Sequence, residues 1–264
     1  MTLAATVTIG VFGLFHPHAL DIEPWRQSRI ELSCVPHQTL ERTARVRLTA
    51  DCKGSGSNGA PTDFILSVPG RIRRHYQGTL KITRQPTGEL IAAVTMTLET
   101  AVASTVAAEA PPDAAKAMLE AQAVVTRSYF AAIHNRHQQF DFCDTTHCQF
   151  IKDPPAPDSA FAQATLATTG RVLTYHYRIV PAFYAARCDG LLAPLPASRI
   201  GPNEYPYFAA TCDFCLRTPA KSTQKANAHP HHHGMCQLGA NDLAKRGWTA
   251  SQILAHYYPG ADLR

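Results

Sequence analysis

A short segment near the middle of the chain combines the two side-chain types that most often bind zinc. It contains His137, Cys143 and Cys148, separated by five and four residues, and His147 directly precedes the last cysteine. Imidazole and thiolate groups at such spacings suit Zn²⁺, which takes four ligands at about 2.0 to 2.3 Å. Three of these residues would leave one position that His147 or a distant residue could fill. A disulfide between Cys143 and Cys148 is the alternative, and the spacing favours metal only modestly.

A second group of cysteines is spread over the C-terminal part of the chain. Cys212 and Cys215 form a Cys-x-x-Cys pair, which is half of a zinc ribbon. Cys188 and Cys236 could complete it as a four-thiolate site. Two disulfides among the same four sulfur atoms fit the sequence equally well, so both interpretations stay open at this point.

The remaining cysteines and the densest run of histidines are weaker signals. Cys34 and Cys52 lie at the ends of predicted strands, which is typical of buried thiols or of a disulfide. Residues 229–233 contain four histidines. Neighbouring side chains in such a run mostly point apart, so we do not expect all four to bind one ion.

The first part of the chain has the alternating pattern of short β-strands. We interpret Thr6–Val11 as the first strand rather than as part of a secretory signal, because no Lys or Arg precedes it. Stretches rich in turn residues, 53–61 and 85–88, separate further strands. Those strands are predicted at 45–50, 64–68, 79–83 and 90–98.

From residue 111 onward the pattern changes to that of helices. Residues 114–134 contain strong helix formers with apolar residues at helical spacing, and Asp113 is the expected N-cap. Further helices are predicted at 159–168, 236–245 and 251–257, strands at 171–177 and 179–186, and an irregular stretch at 188–230.

These elements predict the α+β fold class. A small antiparallel β-rich part, residues 1–100, packs with a helical core, residues 101–264, that bears a groove.

The composition excludes several classes of protein. Of the 264 residues, 45% are hydrophobic and 17% are charged, so a folded core is expected and long disordered charged tracts are not. No stretch approaches the roughly 20 apolar residues of a membrane span. The formal charge is 25 − 20 = +5. This charge is spread along the chain, which suits an anionic polymer and gives no indication of nucleic-acid binding.

Four segments of the chain, between about residues 69 and 263, resemble the SpoIID/LytB family. This family comprises stage II sporulation protein D and the LytB-type amidase enhancers. The matching segments are 76–130, 142–149, 171–190 and 231–263. The most specific pieces read DTTHCQ (144–149) and HYYPG (256–260).

The resemblance implies a protein that acts on peptidoglycan. The sporulation members are similar to lytic transglycosylases, which cleave the bond between MurNAc and GlcNAc in glycan strands stripped of stem peptides. The acidic residue of the family motif SEMP falls on Glu109, which here lies in Ala-Glu-Ala-Pro. As an acid it would protonate the glycosidic oxygen. As a base it would then take the proton of the MurNAc 6-hydroxyl, which closes to 1,6-anhydroMurNAc.

Without the resemblance, Glu109 carries no such signal. It lies just before the predicted helix, where a glutamate usually serves as a capping residue or is solvated. A general acid needs a raised pKa, which burial supplies. A helix N-terminus lowers the pKa instead, so burial or a neighbouring carboxylate would have to dominate.

The resemblance also assigns binding and metal residues. Gln122 would hydrogen-bond an N-acetyl or hydroxyl group, and Arg127 would hold the groove or orient Glu109, while a structural role suits both equally well. Further positions implied to line the groove are Tyr184, His231 and Gln237. A structural zinc ion is implied at His137, Cys143 and Cys148.

One departure from the family pattern favours a different function. Ala117 occupies the position of a second family glutamate, and if that glutamate is the acid, this protein is not an enzyme. It would then be a noncatalytic, peptidoglycan-binding enhancer of an N-acetylmuramoyl-L-alanine amidase. Either function implies glycan strands as the partner and an extracytoplasmic location, in the periplasm or cell wall, although no signal peptide is visible.

Overall fold

A computed structural model describes residues 5–34, 36–133, 136–188, 190–192, 194, 204–218 and 233–264. Within these residues the fold is mixed α+β, as predicted. The helices are α1 (Leu98–Glu109), α2 (Lys116–Ala132), α3 (Ala160–Ala167), α4 (Asp213–Arg217), α5 (Gln237–Lys245) and α6 (Ala250–Tyr257). The longer strands are β1 (Thr6–Val11), β2 (Leu20–Pro24), β3 (Arg29–Leu32), β4 (Gln38–Glu41), β5 (Val46–Leu48), β6 (Cys52–Ser55), β7 (Thr62–Val68), β8 (Ile72–Arg84) and β9 (Leu90–Thr97). The shorter strands are β10 (Phe142–Cys143), β11 (Leu173–Tyr175), β12 (Arg178–Ile179), β13 (Tyr184–Ala185), β14 (Leu191–Leu192), β15 (Ala210–Thr211), β16 (Met235–Cys236) and β17 (Asp262–Leu263).

The chain divides into two compact units that alternate along the sequence. The first unit contains Met1–Ala108 and His134–Pro155, and the second contains Glu109–Ile133 and Ala156–Arg264. The helix α1 thus belongs to the first unit except for its last residue, Glu109, and each unit is built from two separate stretches of chain.

The first unit is built on a ten-stranded sheet. Its main path runs β10-β1-β9-β8-β6-β3-β4, with β7 beside β8, β2 beside β7 and β5 beside β2. The β1–β10 pair is parallel and the other pairs are antiparallel. The strands predicted at the start of the chain are confirmed and correspond to β1, β5, β7, β8 and β9.

The long strand β8 connects two parts of this sheet. Its first half pairs with β7, up to Gly78 opposite Thr62, and its second half pairs with β9 from Thr79 opposite Thr95. A Cβ atom at Gly78 would lie 2.2 Å from the carbonyl oxygen of Thr95. The close approach of the two strands therefore requires glycine at this position.

The expectation that residues 53–61 only separate strands is wrong for the first part of that stretch. Strand β6 covers Cys52–Ser55 and pairs with both β8 and β3. Pairing with two neighbouring strands overrides the local preference of Gly and Ser for turns. Of the two alternatives for Cys34 and Cys52, the structure contains the disulfide, which ties β6 to the chain just after β3.

The second unit is organised around α2. Every residue from Ala121 to Phe130 is buried, and the helix packs against α3, α5 and α6. A helix that is buried on all sides is typical of the centre of a unit. The predicted helices at 159–168, 236–245 and 251–257 are confirmed as α3, α5 and α6.

The start of α2 differs from the prediction. The helix begins at Lys116, and Asp113 is not its N-cap. Instead, the side-chain oxygen of Asn241 accepts a hydrogen bond from the backbone N–H of Ala115 at 2.9 Å, and Asp113 pairs with Lys245. A residue distant in sequence therefore satisfies the helix end.

The strands of the second unit are short. They form a three-stranded sheet, β12-β11-β17, and two separate pairs, β13–β16 and β14–β15. The predicted strands 171–177 and 179–186 shrink to two or three residues each. No helix in the described part of the chain has the length and apolar character needed to cross a membrane.

Candidate functional site

Glu109 lies at the end of a helix that the sequence did not predict. It is the last residue of α1, and it is half-buried. The expectation that Glu109 lies at a helix start is therefore wrong. The predicted strand 90–98 ends at Thr97, and the chain continues directly as α1, because its Ala-rich sequence favours a helix once pairing in the sheet ends.

The Tyr184 hydroxyl forms a hydrogen bond with the Glu109 carboxylate. Burial, together with the charge and hydrogen bond of Glu109, raises the pKa of Tyr184 well above its ordinary value, and a hydrogen bond with Thr126 acts in the opposite direction. The phenol therefore keeps its proton at neutral pH and donates a hydrogen bond to the carboxyl group of Glu109.

Two glutamines complete this group of side chains. The amide Nε2 of Gln237 donates to the backbone carbonyl of Glu109 at 3.0 Å and to Oε1 of Gln122 at 3.3 Å. Gln122 in turn donates to the hydroxyl of Thr126 at 3.3 Å. Both glutamines are buried. The fold thus brings together Glu109, Gln122, Tyr184 and Gln237, which lie up to 128 residues apart.

The strands that carry Tyr184 and precede Gln237 lie side by side. In the parallel pair β13–β16, Tyr184 is opposite Met235. Gly234 precedes this pair with φ +77°, and a Cβ atom there would lie 1.9 Å from the carbonyl oxygen of Phe183. Glycine is required here both for the left-handed backbone and for the close approach of the segments that contain Gly234 and Phe183.

Arg127 is fully buried and follows Gln122 by five residues on α2. Its guanidinium donates to the carbonyls of Ala123 at 3.4 Å, Arg171 at 3.1 Å and Thr165 at 3.3 Å. These bonds link α2 to α3 and to the chain before β11. They support the structural interpretation of Arg127.

Two further positions singled out in the sequence are His231 and Ala117. His231 lies outside the described residues, so its predicted contact with the groove stays a prediction. Ala117, at the position of the second family glutamate, is half-buried in the first turn of α2.

In the first unit, the predicted metal residues form a cluster with a fourth member. The ligand atoms of His137, Cys143, His147 and Cys148 all lie within 4.8 Å of one another. Cys148 Sγ is 3.3 Å from His137 Nε2 and 3.5 Å from His147 Nδ1, and Cys143 Sγ is 3.6 Å from His147 Nδ1. Tetrahedral zinc with two nitrogen and two sulfur ligands places such atoms about 3.5 Å apart, so this cluster fits zinc.

The surroundings of this cluster favour ligand binding. Burial is the main factor that lowers the pKa of His137, so its imidazole stays neutral, as a metal ligand must be. Asp144, next to Cys143, accepts hydrogen bonds from the backbone N–H of Phe12 at 3.2 Å and from Arg74 at 3.0 Å. These bonds fix the cysteine loop on the edge of the sheet.

In the second unit, the four cysteines left open by the sequence form a cluster of their own. The Sγ atoms of Cys188, Cys212, Cys215 and Cys236 lie within 4.8 Å of one another, and all four residues are buried. The neighbouring thiols lower the pKa of Cys212 and raise that of Cys236. The cluster could hold a metal ion.

Two side chains that help to position these segments, Thr126 and Asn241, were not assigned from the sequence. Thr126 lies one helical turn after Gln122, and that i to i+4 spacing was the available signal. Asn241 had no local signal, because its partner Ala115 is 126 residues away.

A comparison with protein families gives one match. The family model described as Stage II sporulation protein, SpoIID, matches residues 87–175. No curated protein sequence matches the chain. The matched region includes Glu109, Gln122 and the His/Cys cluster, whereas Tyr184 and Gln237 lie beyond it.

Proposed function

Because this chain belongs to the SpoIID/LytB family, we propose that it acts on peptidoglycan as a lytic transglycosylase. Its substrate would be glycan strands without stem peptides, and its product would end in 1,6-anhydroMurNAc. The observation that carries this proposal is the hydrogen-bonded group formed by Glu109, Tyr184, Gln122 and Gln237.

Glu109 would act first as an acid and then as a base. It protonates the glycosidic oxygen as the bond between MurNAc and GlcNAc breaks, and it then accepts the proton of the MurNAc 6-hydroxyl, which attacks C1. One carboxyl group suffices because no water enters the reaction. The end of α1 supports the first role, since the partial negative charge of a helix C-terminus favours an uncharged carboxyl group.

The other residues of the group would position Glu109. Tyr184 donates a hydrogen bond to the carboxyl group of Glu109 and so fixes the rotamer of that side chain. Gln237 holds the backbone carbonyl of the same residue, and Gln122 holds Gln237. Arg127, Gln122 and His231 stay candidate substrate-binding residues in this proposal, with a structural role for Arg127 favoured by its three carbonyl partners.

In the first unit, His137, Cys143, His147 and Cys148 would hold a zinc ion. Such an ion, with four protein ligands, stabilises structure and leaves no coordination position for substrate. The residues that carry out the reaction therefore do not include this cluster.

A specific observation also favours the noncatalytic alternative. Ala117 lacks the carboxyl group that the family pattern has in the first turn of this helix. Without it the protein would bind the wall and stimulate an N-acetylmuramoyl-L-alanine amidase. Both functions imply a location outside the cytoplasm, and the Cys34–Cys52 disulfide supports an oxidising compartment.

Digestion of amidase-treated glycan strands, followed by mass spectrometry, tests the proposal. We expect anhydro-ended fragments from the unchanged protein and a loss of at least about a hundredfold in rate for Glu109→Gln, since a general acid contributes 10²–10⁴-fold. Glu120→Gln is the matched control, because Glu120 lies on α2 and pairs only across the helix surface with Lys116 in the described structure.

Two outcomes would contradict the proposal. An equal rate for Glu109→Gln would remove Glu109 from the reaction. An absence of product from every variant, with glycan still retained in a pull-down, would favour the amidase enhancer.

A further inference from the structure

The four-cysteine cluster of the second unit brings together residues up to 236 − 188 = 48 positions apart. We propose that Cys188, Cys212, Cys215 and Cys236 bind one structural zinc ion as four thiolates, and that this ion fixes the strand pair β13–β16. The existence of the site is independent of the proposed function. Only the consequence for the catalytic group rests on that function.

The distances between the sulfur atoms suit a metal ion better than disulfides. Four thiolates around zinc, at about 2.3 Å each, lie about 3.8 Å from one another, and Cys215 Sγ lies 3.6 Å from Cys236 Sγ. A disulfide requires about 2.05 Å. Cys34 and Cys52 form a disulfide, whereas all four residues of the cluster are free thiols.

Donor groups surround the cluster where four thiolates and one Zn²⁺ would leave a net charge of −2. The backbone N–H of Gly239, at the start of α5, donates to Cys236 Sγ at 3.4 Å. The Tyr257 hydroxyl lies 3.8 Å from Cys212 Sγ, and Arg187 donates to the carbonyl of Cys215 at 3.4 Å. Hydrogen bonds of this kind orient metal ligands and offset their charge.

The position of Gly239 is further evidence that the four cysteines form a binding site. A Cβ atom there would lie 2.4 Å from Cys212 Sγ and 2.3 Å from the Tyr257 hydroxyl. A helix normally gains stability when alanine replaces glycine. Here the helix approaches the sulfur atoms so closely that a methyl group would displace one ligand.

The cluster is adjacent to the strand pair that carries Tyr184 and directly precedes Gln237. Cys236 is the last residue of β16 and directly precedes Gln237, and it lies opposite Ala185 in the pair β13–β16. Cys188 follows β13 by three residues. A pair of two-residue strands has little stability of its own. An ion bound by Cys188, after β13, and by Cys236, in β16, would therefore hold Tyr184 and Gln237 in place. Binding would release the protons of the thiols to solvent.

Metal analysis of the intact protein tests the site. We expect about two zinc ions per chain in the unchanged protein, one in each cluster, as measured by inductively coupled plasma mass spectrometry. Cys215→Ser should lose one ion, and the matched variant Cys143→Ser in the first unit should lose the other. A full zinc content in Cys215→Ser would overturn the proposal.

Alkylation of the unchanged protein decides the matter should Cys215→Ser fail to fold. Zinc-bound cysteines should resist iodoacetamide until a chelator is added, and all four should then react. Cysteines that react before chelation would overturn the proposal. The four cysteines could also stay unreactive after chelation and denaturation, with a chain mass lower by the four hydrogens that two further disulfides would remove. That result would show disulfides in place of a metal site and would also overturn the proposal.

The variant Gly239→Ala tests the contact between α5 and the four-cysteine cluster without removing a ligand. It keeps all four thiols, and we expect at least a tenfold faster loss of zinc to a chelator, without loss of the first-unit ion. An unchanged rate of loss would contradict the inferred contact between α5 and the cluster. Because the readout is metal, these results do not depend on whether the protein cleaves glycan.

Discussion

The two units of this protein solve the problem of stability in different ways. The first has strands of up to 13 residues that pair along most of their length in one sheet. The second has strands of two or three residues, which pair over two or three positions. Short strands contribute few hydrogen bonds, so the second unit depends more on its buried helix α2 and, as we propose, on an ion bound by the four-cysteine cluster.

The two cysteine-containing clusters differ in the same sense. The His/Cys cluster lies within residues 137–148, mixes imidazole with thiol ligands and is partly exposed. The four-cysteine cluster draws on residues 188–236 and is fully buried. A cluster at one edge of a large sheet supports a loop, whereas a cluster among short strands holds several segments together.

Removal of metal from the four-cysteine cluster should change the protein most. Structural zinc contributes about 10–16 kcal/mol of apparent binding free energy, so a strong chelator should abolish amide-exchange protection in β13, β14, β15 and β16. Protection in β8 and β9 should stay, because these strands are held by a long ladder of backbone hydrogen bonds. Hydrogen exchange with mass spectrometry measures both, and equal losses in the two units would contradict a metal requirement confined to the second unit.

An intermediate effect is expected for the disulfide in the sheet. It closes a loop of 18 residues, so replacing both Cys34 and Cys52 by Ser should lower the unfolding free energy of the first unit by about 3 kcal/mol. Urea unfolding followed by Trp25 fluorescence in a Trp248→Phe background reports on this unit. Unchanged zinc content is the control, and a shift seen only through Trp248, in a separate Trp25→Phe background, would contradict the assignment.

A smaller change in stability is expected from loss of the N-terminal cap of α6. The Thr249 hydroxyl accepts the backbone N–H of Gln252 at 3.3 Å, and the Gln252 side chain accepts the backbone N–H of Thr249 at 2.9 Å. Thr249→Ala should lower the unfolding free energy of the second unit by about 1 kcal/mol. Fluorescence of Trp248 in a Trp25→Phe background measures it. The exposed Ser251→Ala in the same turn is the control and should show no loss.

Parts of the fold with a local signal were predicted from the sequence. Alternation predicted β1, β7, β8 and β9, and apolar spacing predicted α2, α3, α5 and α6. Strands β2, β3, β4 and β6 and helix α1 were not among the predicted elements. Gly and Ser in β6 favour turns until two neighbouring strands pair with them, and α1 continues directly from a strand, so no break in the pattern marked its start.

The candidate site was predicted only in part. The resemblance to the SpoIID/LytB family supplied Glu109, Gln122, Tyr184 and Gln237, but their mutual hydrogen bonds depend on three segments that are far apart in sequence. From the sequence we expected Glu109 at the start of a helix, and this was wrong, because Glu109 is the last residue of α1. That error had reversed the expected effect of the helix on its carboxyl group.

Local patterns in the sequence predicted the α+β fold class, the resemblance to the SpoIID/LytB family and a metal site within residues 137–148, because each pattern lies in short stretches of chain. The alternatives for the distant cysteines were resolved by the folded chain, which pairs Cys34 with Cys52 and gathers Cys188, Cys212, Cys215 and Cys236 as free thiols. Spacing along the chain does not determine distance in space once strands and helices intervene.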